Sequence, residues 1–188
     1  MTAREVADFE RCVAEGGVGV FPADTVYGLA CDPHDADAIA RMYELKGRAP
    51  DKPAATMWFD LARALAALPE RADVLARLLP GAVTVVLPEG GVRVPALTGP
   101  LLPLRAVSRP VLQTSANHAG GADPRSLRDV PAQIRAAADV VLDAGPLPGT
   151  PSTVVDLRAY ATTGEWSVLR EGAVPAAALA QALSSDAR

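Results

Sequence analysis

The residues best suited to chemistry lie where apolar runs end in short polar segments. Residues 21–29 read FPADTVYGL, residues 114–117 read TSAN, and residues 152–156 read STVVD. An apolar run that ends in a polar segment closed by glycine is typical of a strand that leaves its sheet at a binding loop. Hydroxyl and amide groups at such positions can donate hydrogen bonds to phosphate or carboxylate oxygens. The three segments therefore predict one site for a small anionic substrate, and chemistry on a nucleoside triphosphate.

A second feature is the cluster of cations in residues 46–53, KGRAPDKP. Lys46, Arg48 and Lys52 lie in a segment whose glycine and two prolines exclude a regular helix. Arginine can hold phosphate oxygens bidentately, and lysine supplies a mobile point charge. Charge stabilisation is usually the dominant contribution to nucleotidyl transfer. The cluster predicts an anion clamp, although idle surface charges give the same pattern.

Each candidate residue within these segments can be interpreted either as a ligand-binding residue or as a purely structural one. Thr25 offers a donor and an acceptor, Tyr27 an aromatic wall, and Gly28 a turn close to a ligand, but such a turn is also common as plain structure. Ser115 and Asn117 suit anion binding or an ordinary Asx-turn. The other candidates, each equally interpretable as a rim, edge or strand-start residue, are Arg93, Arg125, Ser152 and Arg170.

Several function classes find no support in the sequence. No phosphate-binding loop or dinucleotide fingerprint occurs, so a nucleotide would be held by scattered strand-end residues. Cys12 and Cys31 are expected to be reduced, and neither they nor His34 and His118 show the spacing of a metal site or a catalytic triad. The net charge of −4 and the 4% of aromatic residues argue against strong RNA binding through a basic or stacking surface. Without a signal peptide or a spanning segment, a cytoplasmic location is expected.

Helical and strand patterns alternate along the whole chain. The patterns predict helices near residues 3–15, 35–46, 60–69, 70–79, 127–138 and 176–183, and strands near 18–21, 54–59, 83–87, 92–94, 111–114, 140–142, 154–157 and 167–169. This interleaving favours α/β layering around one sheet. The 188 residues suit one domain, residues 1–183, with 184–188 as a frayed tail.

Seven of these segments, in order, resemble the YrdC/TsaC family of threonylcarbamoyl-AMP synthases. They are residues 22–29, 46–53, 80–87, 92–95, 114–120, 152–156 and 169–173. The resemblance implies a twisted, open, mixed β-sheet with flanking helices around a positively charged cavity. It implies an enzyme of the short, single-domain form, a nucleotidyltransferase that joins L-threonine, bicarbonate and ATP into L-threonylcarbamoyladenylate and pyrophosphate.

The resemblance also assigns roles to residues of this chain. Lys46 and Arg48 would be catalytic. Threonine would contact Thr25, Arg93, Ser115 and Ser152. ATP would contact Arg48, Lys52, Asn117, Arg125 and Arg170. Mg²⁺ is expected to accompany the nucleotide, with no metal-binding residue assigned.

Partners and alternatives follow from the same resemblance. Downstream proteins would pass the threonylcarbamoyl group to adenosine 37 of tRNA, giving the t6A modification; no membrane is involved. An RNA-binding paralogue, for double-stranded RNA, and a carbamoyl-adenylate-forming domain remain open. The sequence departs from the family at Ala23, usually threonine, and at Met57, a histidine in some relatives. Both departures concern the threonine side of the pocket.

Overall fold

The secondary structure alternates between short strands and short helices. A computed structural model describes residues 1–47 and 54–184. Its strands are β1 (Gly19–Pro22), β2 (Tyr27–Cys31), β3 (Ala55–Met57), β4 (Val83–Leu87), β5 (Gly90–Arg93), β6 (Val111–Ser115), β7 (Val140–Val141), β8 (Thr153–Asp156) and β9 (Ser167–Arg170). Its α-helices are α1 (Ala3–Ala14), α2 (Ala36–Lys46), α3 (Leu61–Ala67), α4 (Ala72–Leu78), α5 (Ala132–Ala137), α6 (Tyr160–Thr163) and α7 (Ala176–Ser184), with 3-10 segments at Pro69–Arg71 and Gly99–Ala106.

The strands form one mixed sheet. Their order is β7-β1-β2-β6-β3-β5-β4-β8-β9. The pairs β1–β7, β3–β5 and β4–β8 are parallel, and the other neighbouring pairs are antiparallel. β4, predicted from its β-branched residues, is an interior strand between β5 and β8. The predicted α/β fold with an open mixed sheet and flanking helices is confirmed.

Side-chain caps fix where the predicted helices begin. Thr2 accepts from the Glu5 amide while Glu5 accepts from the Thr2 amide, the reciprocal pair predicted for α1. Asp35 and Asp60 cap α2 and α3 without this reciprocity: the Asp35 side chain accepts from the Asp37 and Ala38 amides, and the Asp60 side chain accepts from the Arg63 amide. α2 ends at Lys46, and the cap residue Gly47 follows it with a φ of 60°, which suits a residue without a side chain.

Two groups of buried apolar side chains hold the helices to the sheet. The larger contains residues of α1, β1, β2 and α2, and the smaller contains residues of β4, β5, α4 and α7. Phe9, Phe21 and Phe59 meet within the larger group, with ring centroids 5.5 to 6.5 Å apart. Such tilted and edge-on contacts add to the area that the rings bury.

Four details differ from the sequence-based expectation. β2 was expected to be a loop, but pairing with β1 and β6 on both sides makes it a strand. α5 begins at Ala132, after Pro131, not near 127. α6 was not predicted. Ser184, expected in the frayed tail, is the last residue of α7, while 185–188 lie outside the described residues.

Gly28 and Tyr27 belong to β2, so their expected roles in a turn are wrong. A side chain at Gly28 would lie 3.0 Å from the Phe21 ring and 3.1 Å from the Thr114 carbonyl oxygen, so the glycine allows close packing. Tyr27 is fully buried, and its hydroxyl donates to Asp143 at 2.6 Å and accepts from the Ala144 amide. Burial and the Asp143 carboxylate raise the pKa of Tyr27. Tyr27 therefore supports the sheet and is not a wall of the cavity.

The two cysteines are free thiols, as expected. Cys12 is half-buried and Cys31 is buried. Burial raises the pKa of Cys31 to about 12, so its thiol stays protonated near neutral pH. Across the described residues, no helix has the length and apolar character needed to span a bilayer.

The phenylalanine group allows a stability prediction. Phe9→Ala should lower the free energy of unfolding by about 3–5 kcal/mol, because it removes a fully buried ring and leaves a void. Urea denaturation followed by circular dichroism measures this. Leu102→Ala, at a side chain that is 48% exposed, is the control and should change stability by less than about 0.5 kcal/mol. A similar small change for Phe9→Ala would contradict the packing described.

Candidate active site

A cavity of about 520 Å³ lies on one face of the sheet. Residues of β2, β3, β4, β5, β6, β8 and β9 line it. Because side chains alternate along a strand, Gln113 and Ser115 share a face of β6, and Thr84 and Val86 share a face of β4. The opposite face of β4 packs into the smaller apolar group through Val83 and Val85. The strand order thus brings residues that are far apart in sequence to one cavity.

The first polar unit of the cavity is a buried ion pair. Arg93 ends β5 and is 3% exposed, and its Nη2 lies 2.5 Å from Asp24 Oδ1 and 2.5 Å from Thr25 Oγ1. The other Asp24 oxygen accepts from the Ala96 amide at 2.8 Å. Burial lowers the pKa of Arg93, and the Asp24 carboxylate opposes that shift. Arg93 Nε has no hydrogen-bond partner among the described residues, which leaves one buried donor for a ligand.

The second polar unit joins β4, β8 and β9. Thr84 and Ser152 share a hydrogen bond of 2.8 Å between their hydroxyl oxygens. Arg170 Nη2 donates to the Ser152 carbonyl oxygen at 2.8 Å and lies 3.3 Å from its hydroxyl. Arg170 is exposed at the rim, and it forms no salt bridge within residues 1–47 and 54–184.

The third unit surrounds the ammonium group of Lys46. Lys46 ends α2 and is only 4% exposed. Its Nζ lies 2.6 Å from the Ser115 carbonyl oxygen, 2.6 Å from Asn117 Oδ1, 3.0 Å from the Asn117 carbonyl oxygen and 3.2 Å from Ser115 Oγ. Four oxygens around three ammonium protons hold the end of α2 against the turn after β6. Lys46 thus contacts the cavity wall through Ser115, which lines it.

The predicted site residues divide into four sets. Arg93, Ser115, Ser152 and Arg170 line the cavity. Thr25, Lys46 and Asn117 lie behind it, each hydrogen-bonded to a lining residue. Arg125 is exposed, does not line the cavity, and donates from Nε to the Leu147 carbonyl oxygen. Arg48 and Lys52 lie outside the described residues.

The charge of the cavity stays a prediction. Arg93, Arg158 and Arg170 are the described cations that line it, and Asp123 is a lining carboxylate. Arg93 is paired with Asp24, and Arg158 lies 2.6 Å from Asp156. These two pairs offset much of the local positive charge, so a net cationic field would depend on Arg170 and on the predicted clamp residues.

Two core residues, Ala23 and Met57, are the positions at which the sequence departs from the family that it resembles. Ala23 is 1% exposed and Met57 is fully buried, and both belong to the larger apolar group. Met57 lies directly beside Arg93 in the sheet register. Its side chain therefore shares a face of the sheet with Arg93 and Ala55 and is buried next to the cavity.

Sequence reasoning missed several polar residues of the cavity. Asp24 stood within the first motif but received no role, and Thr84 and Gln113 were counted only as strand residues. A lone polar residue in an otherwise apolar strand was the available signal. Such a residue must face either solvent or another polar group, because burying it unpaired is costly.

Residues 11–172 match the Sua5/YciO/YrdC family model, described as "Telomere recombination". The threonylcarbamoyl-AMP synthase of Pyrococcus abyssi is 34% identical over 184 residues, which cover 87% of this chain and 52% of that relative. The threonylcarbamoyl-AMP synthase of Chromohalobacter salexigens is 34% identical over 182 residues, covering 86% of this chain and 97% of that relative.

A solved structure gives the same picture of the fold. The crystal structure of P. abyssi Sua5 complexed with L-threonine superposes with a TM-score of 0.82 at 27% identity, covering 98% of this chain and 58% of that one. The chain therefore spans about half the length of the Pyrococcus relative and nearly all of the Chromohalobacter one.

The enclosed ammonium group allows a second prediction. Lys46→Met should lower the free energy of unfolding by about 2–3 kcal/mol, because it leaves the buried oxygens of Ser115 and Asn117 without their donor. Thermal and urea denaturation measure the loss. Arg105→Met, at an exposed residue, is the matched control and should leave stability nearly unchanged. Equal stability of the two variants would show that the ammonium contacts do not hold the turn.

Proposed function

The chain belongs to the Sua5/YciO/YrdC family, and from this membership we propose that it acts as a threonylcarbamoyl-AMP synthase. The reaction would convert L-threonine, bicarbonate and ATP into L-threonylcarbamoyladenylate and pyrophosphate. The enzyme would then be a nucleotidyltransferase, since the AMP moiety passes to a carbamate oxygen.

The observation that carries the proposal is the meeting of three polar units at one cavity. The Asp24–Arg93 pair, the Ser152–Arg170 contact and the Lys46–Ser115 contact come from segments far apart in sequence. About 520 Å³ lies within the range of small-molecule pockets. A cavity with separate polar units and an apolar floor suits two different substrates that must react with each other.

The chemistry needs little from the protein besides binding and alignment. The threonine amine first captures bicarbonate as a carbamate, with loss of water. A carbamate oxygen then attacks the α-phosphorus of ATP, and the bond to the bridging oxygen of pyrophosphate breaks. No covalent bond to the protein forms. Holding the two reactants in register supplies much of the rate, and a closed cavity protects a carbamate that reverts readily in water.

Four residues would hold the amino acid, directly or through a neighbour: Arg93, Thr25, Ser115 and Ser152. Asp24 fixes the guanidinium of Arg93 through Nη2, which leaves its unpaired Nε available for the threonine carboxylate. The hydroxyls of Ser115 and Ser152 line opposite parts of the same hollow and can donate to substrate oxygens. Thr25 acts through Arg93, to which it is hydrogen-bonded.

Arg170 and the predicted clamp residues, Arg48 and Lys52, would hold the nucleotide phosphates. Asn117 would act through Ser115, to which it is hydrogen-bonded. Arg170 reaches the cavity from its rim, and within residues 1–47 and 54–184 its guanidinium donates only to the carbonyl and hydroxyl oxygens of Ser152. A guanidinium without a carboxylate partner attracts a phosphate more strongly than a paired one does. The ATP contact predicted for Arg125 stays a prediction, because Arg125 does not line the cavity and its Nε donates to the Leu147 carbonyl oxygen.

Mg²⁺ would arrive with the nucleotide. Within the described residues, no cluster of three or more metal-binding side chains exists. Mg²⁺ is commonly held by one or two carboxylates together with substrate phosphates and water, and Asp123 lines the cavity as a carboxylate of this kind. Asp123 would hold the ion, and the ion would offset the charge of the triphosphate.

The product would serve tRNA modification. A mixed anhydride of a carbamate and AMP is an activated acyl donor, so a second protein must take the threonylcarbamoyl group. In the proposed function that acceptor is adenosine 37 of tRNA, reached through downstream t6A-synthesis proteins.

Pyrophosphate release tests the proposal. Release should require ATP, bicarbonate and L-threonine together, and product analysis should find threonylcarbamoyl-AMP. Serine and the absence of an amino acid are the controls. Release with carbamoyl phosphate in place of threonine and bicarbonate would contradict the proposal and favour a carbamoyl-adenylate-forming domain.

Arg170 allows a third prediction. Arg170→Met should raise the KM for ATP about tenfold while stability stays near that of the wild type, because the side chain is exposed and, among the described residues, donates hydrogen bonds only to Ser152. Steady-state pyrophosphate release measures the KM. Arg4→Met, at a side chain that is 92% exposed on α1, is the matched control. An unchanged KM for ATP in both variants would remove Arg170 from the phosphate site.

A further inference from the structure

We propose that Gln113 recognises the nucleobase of the nucleotide substrate, an inference that rests on the proposed function. Gln113 lies in the middle of β6, is only 8% exposed, and lines the cavity. Within residues 1–47 and 54–184, its side-chain amide makes no hydrogen bond. By contrast, the side chains of Arg93, Thr84, Ser152 and Ser115 all have partners.

An unpaired amide on a cavity wall is free to bind a ligand. Neither amide atom of Gln113 is among the fully buried side-chain atoms that lack a partner in the described residues, so both are accessible from the cavity. The amide is not sealed inside the core, because Gln113 shares its face of β6 with Ser115, and both residues line the cavity. A bound molecule can therefore supply the missing donor and acceptor.

The sheet register places a flat apolar floor beside this amide. Gln113 lies opposite Ala55, Ala55 lies opposite Gly91, and Gly91 lies opposite Val86, so the four form one row across β6, β3, β5 and β4. The two middle residues have almost no side chain, and a Cβ at Gly91 would lie only 3.0 Å from the Ala55 Cβ. At strand spacings of about 4.8 Å, the row forms a shallow strip with one polar end.

A purine base fits such a strip better than the other substrate groups do. Its faces are apolar, and adenine presents a 6-amino donor next to a ring-nitrogen acceptor. The glutamine amide matches this pair with its own acceptor and donor, which is the pairing that glutamine makes with adenine in nucleic acids. The anionic groups of ATP and threonine belong instead to the neighbouring row, where Arg93 pairs in register with Met57 and Arg170 with Val154.

The test compares ATP with purine riboside triphosphate, which lacks the 6-amino group. Wild-type protein should bind the analogue about tenfold more weakly than ATP, measured by calorimetry and by the KM in pyrophosphate release. Gln113→Ala should bind both nucleotides equally, with a KM for ATP about tenfold higher and an unchanged KM for threonine. Gln113→Met keeps the volume without the hydrogen bonds and should behave like Gln113→Ala. Gln133→Ala, at an exposed glutamine of α5, is the control.

Each other outcome overturns the assignment. A Gln113→Met variant that still prefers ATP over the analogue would show that the amide does not contact the base. A raised KM for threonine with an unchanged KM for ATP would assign the amide to the amino acid. Wild-type protein that binds neither nucleotide would overturn the proposed function together with this inference, whereas the first two outcomes leave the proposed function intact.

Discussion

The cavity depends on one buried ion pair, Arg93 with Asp24. The two side chains are 4% and 7% exposed, so both charges have lost most of their water. Removing two charges from water is expensive, and the cost is offset only when hydrogen bonds serve the remaining atoms. Asp24 meets this condition by binding Arg93 with one oxygen and the Ala96 amide with the other. Asp24, in the turn after β1, is thereby hydrogen-bonded to the end of β5 and to the segment that follows it. Three strands of the sheet lie between β1 and β5.

The Lys46 unit shows how a residue can serve a site without facing it. Its ammonium binds oxygens of Ser115 and Asn117, so the position of the Ser115 hydroxyl depends on the end of α2. A helix, a strand and a turn thus hold the cavity wall in one arrangement. The catalytic role of Lys46 stays a prediction, and the geometry connects its ammonium group to the cavity through Ser115.

Local signals in the sequence predicted the helices well, because a cap such as Asp35 or Asp60 acts within three residues of itself. β2 was missed because Tyr27–Cys31 becomes a strand only by pairing with β1 and β6, which the local pattern does not contain. At the site, the motifs identified Arg93, Ser115, Ser152 and Arg170, which the structure brings to one cavity. The motifs could not identify Thr84 and Gln113, because which face of a strand meets a cavity is set by the order of strands in the sheet.

In the proposed function, one cavity holds an amino acid and a nucleotide side by side. A crystal structure with L-threonine and a non-hydrolysable ATP analogue bound together tests this arrangement. We expect the threonine carboxylate at Arg93, the phosphates near Arg170, and the base on the strip formed by Ala55 and Gly91. Density for either ligand outside this cavity, with Arg93 and Arg170 uncontacted, would contradict it.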